Sequence, residues 1–250
     1  MKENTPYRLD ENFYGNKELF KTVFQNPETI VVYDIDGILA DTPKIVLKNF
    51  SNKHGINVNP EEIDNWTYLS DVSIRNNLDK DSIKHAEDDW YAKGPLYEAP
   101  RYLYIKPVVQ KTISLYGQEN NFVLTSRNPS LAEMTHKWFE REKLGILESN
   151  ILMRKSGGIV NHAETAEYKV GQLKELSKIA PWVVFIDDSV AFIKAVVDSD
   201  IKNCLMVNIP LGIIRPNFSH ERLIVINRYP VRIQAMYPLM DAINRATNNY

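Results

Sequence analysis

Apolar positions follow two rhythms along this chain. Six short runs, at 30–35, 122–125, 151–153, 182–186, 205–209 and 223–226, are almost continuously apolar. Such runs read as strands buried on both faces. Between them, apolar residues recur three and four apart, the spacing of an amphipathic helix. Leu19, Phe20, Val23 and Phe24 mark a short helix before the first strand. Ile45, Val46 and Phe50 mark another, with Thr42 as the expected N-cap, Pro43 in the first turn and Gly55 as the stop. Ser130 and Glu133 have the spacing of a capping box ahead of Met134 and Trp138. Val170, Leu173 and Leu176 predict a helix over 165–179, with Lys169 near its start and Pro181 beyond its end. Ser189 is placed to cap a helix carrying Ile193 and Val196, and 231–246 is amphipathic.

Strands separated by helical patterns predict an α/β fold, a three-layer Rossmann-like parallel sheet with helices on both faces. The interval between the first two strands breaks the rhythm. It is far longer than the dozen or so residues that a parallel crossover needs. Residues 56–98 hold short helical stretches punctuated by Pro60, Gly94 and Pro95, and no convincing strand. The expected organisation is a core formed by 1–41 and 118–250, with a small helical cap inserted at 42–117.

Composition narrows the function classes. A hydrophobic fraction of 44% in 250 residues is ample for a packed core with a modest insertion. The net charge of -2 argues against strong nucleic-acid binding. The lone cysteine, Cys204, lies in an apolar run and reads as a buried, reduced thiol. No segment approaches the roughly 20 apolar residues of a membrane span, and 1–12 is polar. The expectation is a cytoplasmic protein with no membrane partner.

Chemistry concentrates in two acidic pairs. Asp34 and Asp36 end the first strand in Asp34-Ile35-Asp36-Gly37, and Asp187 and Asp188 follow the fourth. The carboxyl ends of strands are where open α/β sheets bind ligands. Four acids on one edge repel unless a cation lies among them, and Mg²⁺ takes oxygen ligands and works beside phosphate. An EF-hand reading fails, because its later ligand positions hold Ile38 and Ile45. The single Gly37 excludes a dinucleotide fingerprint, and no P-loop is present.

Taken in order, Asp34-Ile35-Asp36-Gly37 with Asp41, then Leu124-Thr125-Ser126, Lys169 and Asp187-Asp188 resemble the four motifs of the haloacid-dehalogenase-like (HAD) superfamily. Ile38 stands where that family usually has Thr. The resemblance implies Asp34 as nucleophile, Asp36 as acid–base residue, and Thr125 and Lys169 as phosphate-holding catalytic residues. It implies a Mg²⁺ site from Asp34, the Asp36 carbonyl, Asp187 and Asp188. The Ser126 amide is a further phosphate donor. Arg127 has two readings, a ligand of a second substrate group or a surface ion-pair partner. Asp41 reads as a loop brace or cap.

The resemblance implies a phosphomonoesterase acting on a small phosphorylated substrate. Nucleoside monophosphates rank first and sugar phosphates second, with a phosphomutase, a polynucleotide 3′-phosphatase and a non-catalytic binding module as rivals. Trp66, Tyr68, Trp90, Tyr91, Tyr97, Tyr102, Tyr104 and Tyr116 crowd the cap region. They would either stack on a base or form the cap's own core.

Overall fold

A computed structural model describes residues 12–63, 68–86, 93–127, 129–154, 162–212, 214–228 and 236–247. Its centre is a seven-stranded sheet. Thr29–Tyr33 (β2) lies between Asn121–Thr125 (β3) and Trp182–Asp187 (β5), parallel to both. Ile151–Met153 (β4) extends the sheet beyond β3, and Cys204–Asn208 (β6) and Leu223–Ile226 (β7) extend it beyond β5, all parallel. Phe13–Tyr14 (β1) closes the far edge antiparallel to β7, which makes the sheet mixed. That two-residue strand has no counterpart in the sequence pattern, since it is too short to show a period.

Strand alternation divides the core into two layers. Val31, Tyr33, Val184, Ile186, Leu205 and Val207 face one side. There they meet Lys17–Gln25 (α1), Ile105–Tyr116 (α6), Ala132–Glu142 (α7) and Tyr237–Thr247 (α10) through Phe20, Phe24, Val108, Trp138 and Ile243. Ile30, Val32, Val183, Phe185, Cys204 and Met206 face the other side. They meet His162–Ile179 (α8) and Val190–Val197 (α9) through Leu173, Leu176, Ile193 and Val196. Cys204 is a buried free thiol, as its apolar setting predicts. No helix among the described residues is long and apolar enough to cross a membrane.

Between β2 and β3 run Thr42–His54 (α2), Tyr68–Arg75 (α3), Lys80–His85 (α4) and Lys93–Glu98 (α5). Val46, Phe50, Val58, Tyr68, Leu69 and Val72 form a separate small cluster there. Leu211, from the loop after β6, joins it. Gly212 lies against the Ile63 carbonyl with no room for a Cβ. α6 does not belong to this cluster: it packs on β2 and β3 in the main core. A boundary at 117 therefore falls one helix too late, because a helical pattern does not reveal which layer the helix covers. The chain leaves and re-enters the sheet layer along paired segments. Asp41 N donates to Pro100 O (2.8 Å), and Tyr102 N donates to Leu39 O (3.0 Å).

Three local expectations shift. Asp41, not Thr42, caps α2, its carboxylate accepting from Lys44 N at 3.3 Å. α7 is preceded by a 3₁₀ turn at Pro129–Leu131, so Ser130 lies inside that turn. α8 begins at His162, which places Lys169 two turns into the helix. Part of the amphipathic stretch at 231–246, and Trp66, Trp90 and Tyr91, lie outside the described residues.

Candidate active site

The carboxyl edge of the sheet brings the acids together because β2 and β5 are in parallel register, with Tyr33 opposite Ile186. Asp34 N continues the ladder to Ile186 O at 2.9 Å. The chain then turns tightly. The amides of Ile38, Leu39 and Ala40 all donate to Ile35 O, at 3.2, 2.9 and 2.8 Å. Gly37 makes this turn with φ +90°, and a Cβ there would collide with the Asp188 carboxylate. Glycine alone combines that conformation with that approach. Ile38 is fully buried and takes no part in the site.

Asp34, Asp187 and Asp188 are all buried, and each offers a carboxylate oxygen within 4.8 Å of the others. Lys169 reaches them from α8. Its Nζ donates to Asp187 Oδ2 at 2.7 Å and lies 3.1 Å from Asp34 Oδ1 at ion-pair distance. Asp187 Oδ1 accepts from Ser189 N at 2.7 Å. Among the described residues, Asp188 Oδ1 is enclosed and takes no hydrogen bond, and Asp34 Oδ1 has only the Lys169 ammonium beside it.

Three acids against one lysine leave an excess of buried negative charge. Burial pushes the Asp34 carboxyl up to about 7, with Lys169 opposing and Asp187 and Asp36 adding to the rise. Burial and then Asp187 push Asp188 well above the usual carboxylate range, against Arg228. Burial works to lower Lys169, but Asp187 and Asp34 outweigh it and hold the ammonium charged. An orphaned carboxylate oxygen and an excess of negative charge in a compact all-oxygen group are what a hard divalent cation satisfies. Asp34, Asp187 and Asp188 thus fit Mg²⁺ as side-chain ligands.

Asp36 is placed differently. Its carboxylate turns to Arg127, which donates from Nε to Oδ2 (2.9 Å) and from Nη2 to Oδ1 (2.7 Å). Thr42 Oγ1 adds a 2.5 Å hydrogen bond to Oδ1. Burial alone would raise this carboxyl, but Arg127 and Thr42 outweigh it and hold it below the usual range. Its side chain is outside the acidic group, so only its backbone carbonyl remains for a cation. Arg127 is not a surface ion-pair partner: it is buried, forked onto Asp36 and bonded to Thr135 Oγ1 at 3.2 Å.

Thr125 ends β3 fully buried, and its hydroxyl accepts from Arg127 N at 3.2 Å. Ser126 follows at the same edge, its carbonyl accepting from Arg154 Nε at 3.0 Å. Three residues at this edge escape the sequence reading. Thr42 was given to a cap that Asp41 supplies. Arg154 immediately follows β4. Arg228, two residues beyond β7, donates to the carbonyls of Gly37 and Ile209 and stacks 4.9 Å over Tyr102. A place just past a strand's carboxyl end is the one sequence feature that both arginines share.

The described aromatics of the cap region have structural partners. Tyr68 lies in the small cluster, Tyr97 stacks on Arg141, Tyr102 on Arg228, and Tyr104 on Tyr237. The Tyr116 hydroxyl donates to Phe24 O.

No protein-family model and no curated protein matches the sequence. Solved structures do match. Protein tyrosine kinase A from Mycobacterium tuberculosis aligns over 88% of this chain and 99% of its own, with TM-score 0.54 and 16% identity. A conserved haloacid dehalogenase-like protein from Agrobacterium tumefaciens aligns over 87% and 99%, with TM-score 0.52 and 12% identity. A haloacid dehalogenase-like hydrolase from Burkholderia xenovorans aligns over 87% and 98%, with TM-score 0.50 and 12% identity. With this sheet order, the helices on both faces and the acids at the carboxyl edge, the chain has the α/β fold of the haloacid-dehalogenase-like superfamily.

Proposed function

We propose that this protein is a Mg²⁺-dependent phosphomonoesterase that works through an aspartyl-phosphate on Asp34. The observation that carries the reading is the buried group of Asp34, Asp187 and Asp188 around one charged lysine, at the end of parallel strands. An Asp34 oxygen attacks phosphorus, and the ester P–O bond to the leaving group breaks. A bound Mg²⁺ supplies positive charge where the carboxylate and the phosphate dianion would otherwise repel. Lys169, kept protonated between two acids, adds a fixed charge on the same side, and Thr125 and the Ser126 amide provide neutral donors.

Asp36 handles the proton. In the first half-reaction it gives a proton to the leaving oxygen. In the second it takes one from the water that attacks phosphorus, restoring Asp34 and releasing phosphate. With its three donors in place Asp36 is a carboxylate, the form the second half-reaction needs. The acid form requires release from the Arg127 fork, since a group receiving donors on both oxygens holds a proton poorly.

Nucleoside monophosphates are the first substrate class and sugar phosphates the second. The described aromatics add no support for base stacking, because each already packs against protein. The decisive experiment is phosphate release from a panel of nucleoside 5′- and 3′-monophosphates and sugar phosphates, with Mg²⁺ and with EDTA. Mg²⁺-dependent release that is lost in Asp34→Asn is the expected result. EDTA-insensitive release, or release that survives Asp34→Asn, would sink the mechanism.

A further inference from the structure

Two buried arginines flank the turn that follows Thr125, and only one of them has an acid. Arg127 is forked onto Asp36. Arg154 is 4% exposed, and no carboxylate pairs with it among the described residues. Its Nε is held by Ser126 O at 3.0 Å, and its Nη1 reaches Thr165 Oγ1 only at 3.5 Å. Among the described residues its Nη2 is enclosed with no hydrogen-bond partner. Arg222, also buried, places Nη1 on the carbonyls of Ile201 and Cys204 and leaves no such orphan. A buried guanidinium without a counter-charge is unfavourable, and a well-placed anion arriving beside it relieves that.

Its position says which anion. Thr125 is opposite Met153 in the β3–β4 register, so Arg154 follows its strand as Ser126 follows Thr125, on the same edge. Thr165 and Lys169 are four residues apart on α8 and share one helix face. Thr165, with Arg154 beside it, therefore lies about 6 Å from Lys169 towards the start of α8.

We infer that Arg154, with Thr165 and Ser126 beside it, anchors a second anion subsite, and that the substrate is a small phosphomonoester carrying a further phosphate or carboxylate group. This rests on the reading of Asp34 as the phosphoryl-transfer centre. Arg154 takes the non-reacting anion through its planar fork, which suits both oxyanion types. The subsite narrows either substrate class above to its doubly anionic members.

The test compares three probes: glycerol 1-phosphate with one anionic group, 3-phosphoglycerate with a phosphate and a carboxylate, and propane-1,3-diol bisphosphate with two phosphates. Wild type is expected to favour one or both doubly anionic probes in kcat/KM by about tenfold or more. That ratio collapses in Arg154→Met and is largely kept in Arg154→Lys. Which probe is favoured identifies the second group. A flat ratio in wild type, or a ratio that Arg154→Met leaves intact, overturns the subsite while leaving the phosphatase reading in place. Calorimetric binding of the same probes to Asp34→Asn protein separates the other failure. Arg154-dependent binding of the doubly anionic probes without any turnover in wild type keeps the subsite and removes the phosphatase. Melting of Arg154→Met in anion-free buffer adds a further check. A ligand-waiting arginine leaves the variant at least as stable as wild type, and an arginine needed for structure lowers Tm and counts against the proposal.

Discussion

On the Asp34 side of the loop that follows β2, three buried acids share one lysine. On the Asp36 side, two residues along the chain, a single acid takes three donors from Arg127 and Thr42. The first side has too little positive charge and the second is fully compensated. The difference separates what each carboxylate can do. Asp34 is held where charge is still to be supplied, which suits a nucleophile that meets its cation and its substrate together. Asp36 is held as an ion in a finished pair, which suits a group whose proton comes and goes with the opening of that pair.

The same chemical change should therefore have opposite consequences for stability at the two positions. Asp34→Asn removes one of three repelling charges. It should abolish phosphate release, by about 10⁴-fold or more, while leaving the folded state as stable as wild type or more so. Asp36→Asn leaves the Arg127 guanidinium buried without its acid. It should slow turnover by about 10²–10⁴-fold and destabilise by about 3 kcal/mol. Turnover assays and urea midpoints for the two variants test this together. Midpoints that shift in the same direction would break the contrast. Adding Arg127→Met to Asp36→Asn should recover part of the lost stability, since the two residues act as one pair.

A titration sharpens the same comparison. Asp34 has its folded-state pKa raised to about 7, above the ordinary carboxylate value near 4. A raised value means that the proton is held more tightly in the folded chain. The resulting stability is fully present below about pH 4 and is lost as pH rises towards 7. Asp188 acts in the same direction. Metal-free protein should therefore lose Tm between pH 4 and 7. Asp34→Asn should flatten that fall, and saturating Mg²⁺ should oppose it at the upper end. Asp36 contributes with the opposite sign, because its pKa is lowered: its stability is present above the ordinary value and lost only as pH falls below it. A melting profile that is flat from pH 4 to 7 without metal would remove the excess of charge on which the Asp34 side rests.

How far the sequence discloses this arrangement depends on the range of each interaction. Buried parallel strands are near-continuous apolar runs, so six of the seven strands and the acids that end two of them stand out. Asp34, Asp187 and Asp188 could be placed on one edge from that pattern alone, and Lys169 through the order of the motifs. β1 could not, because two residues carry no period. The Asp36–Arg127 fork joins positions 91 residues apart, and no local rule connects them. Arg154 and Arg228 are single cations past strand ends, indistinguishable in sequence from solvated ones until the neighbouring strands are in register. α6 has the same amphipathic spacing as the cap helices, and only the tertiary layer it covers separates it from them.

The smallest expected effect tests the most local of these assignments. Asp41 and Thr42 are both good capping residues, and sequence alone favours Thr42 because Pro43 follows it. The structure gives the cap to Asp41, which frees the Thr42 hydroxyl to donate to Asp36 at 2.5 Å. Thr42→Val then removes one donor from a charged acceptor and leaves the helix start intact. The cost should be about 1–2 kcal/mol, well below that of Asp36→Asn, because Arg127 keeps both of its bonds. Thr42→Ser, which retains the hydroxyl, should restore most of it. If Thr42 were instead the cap, serine would still rescue, but Asp41→Ala would be harmless to helix stability. A measurable loss in Asp41→Ala beside a serine-rescued loss at Thr42 assigns the cap to one residue and the hold on Asp36 to the other.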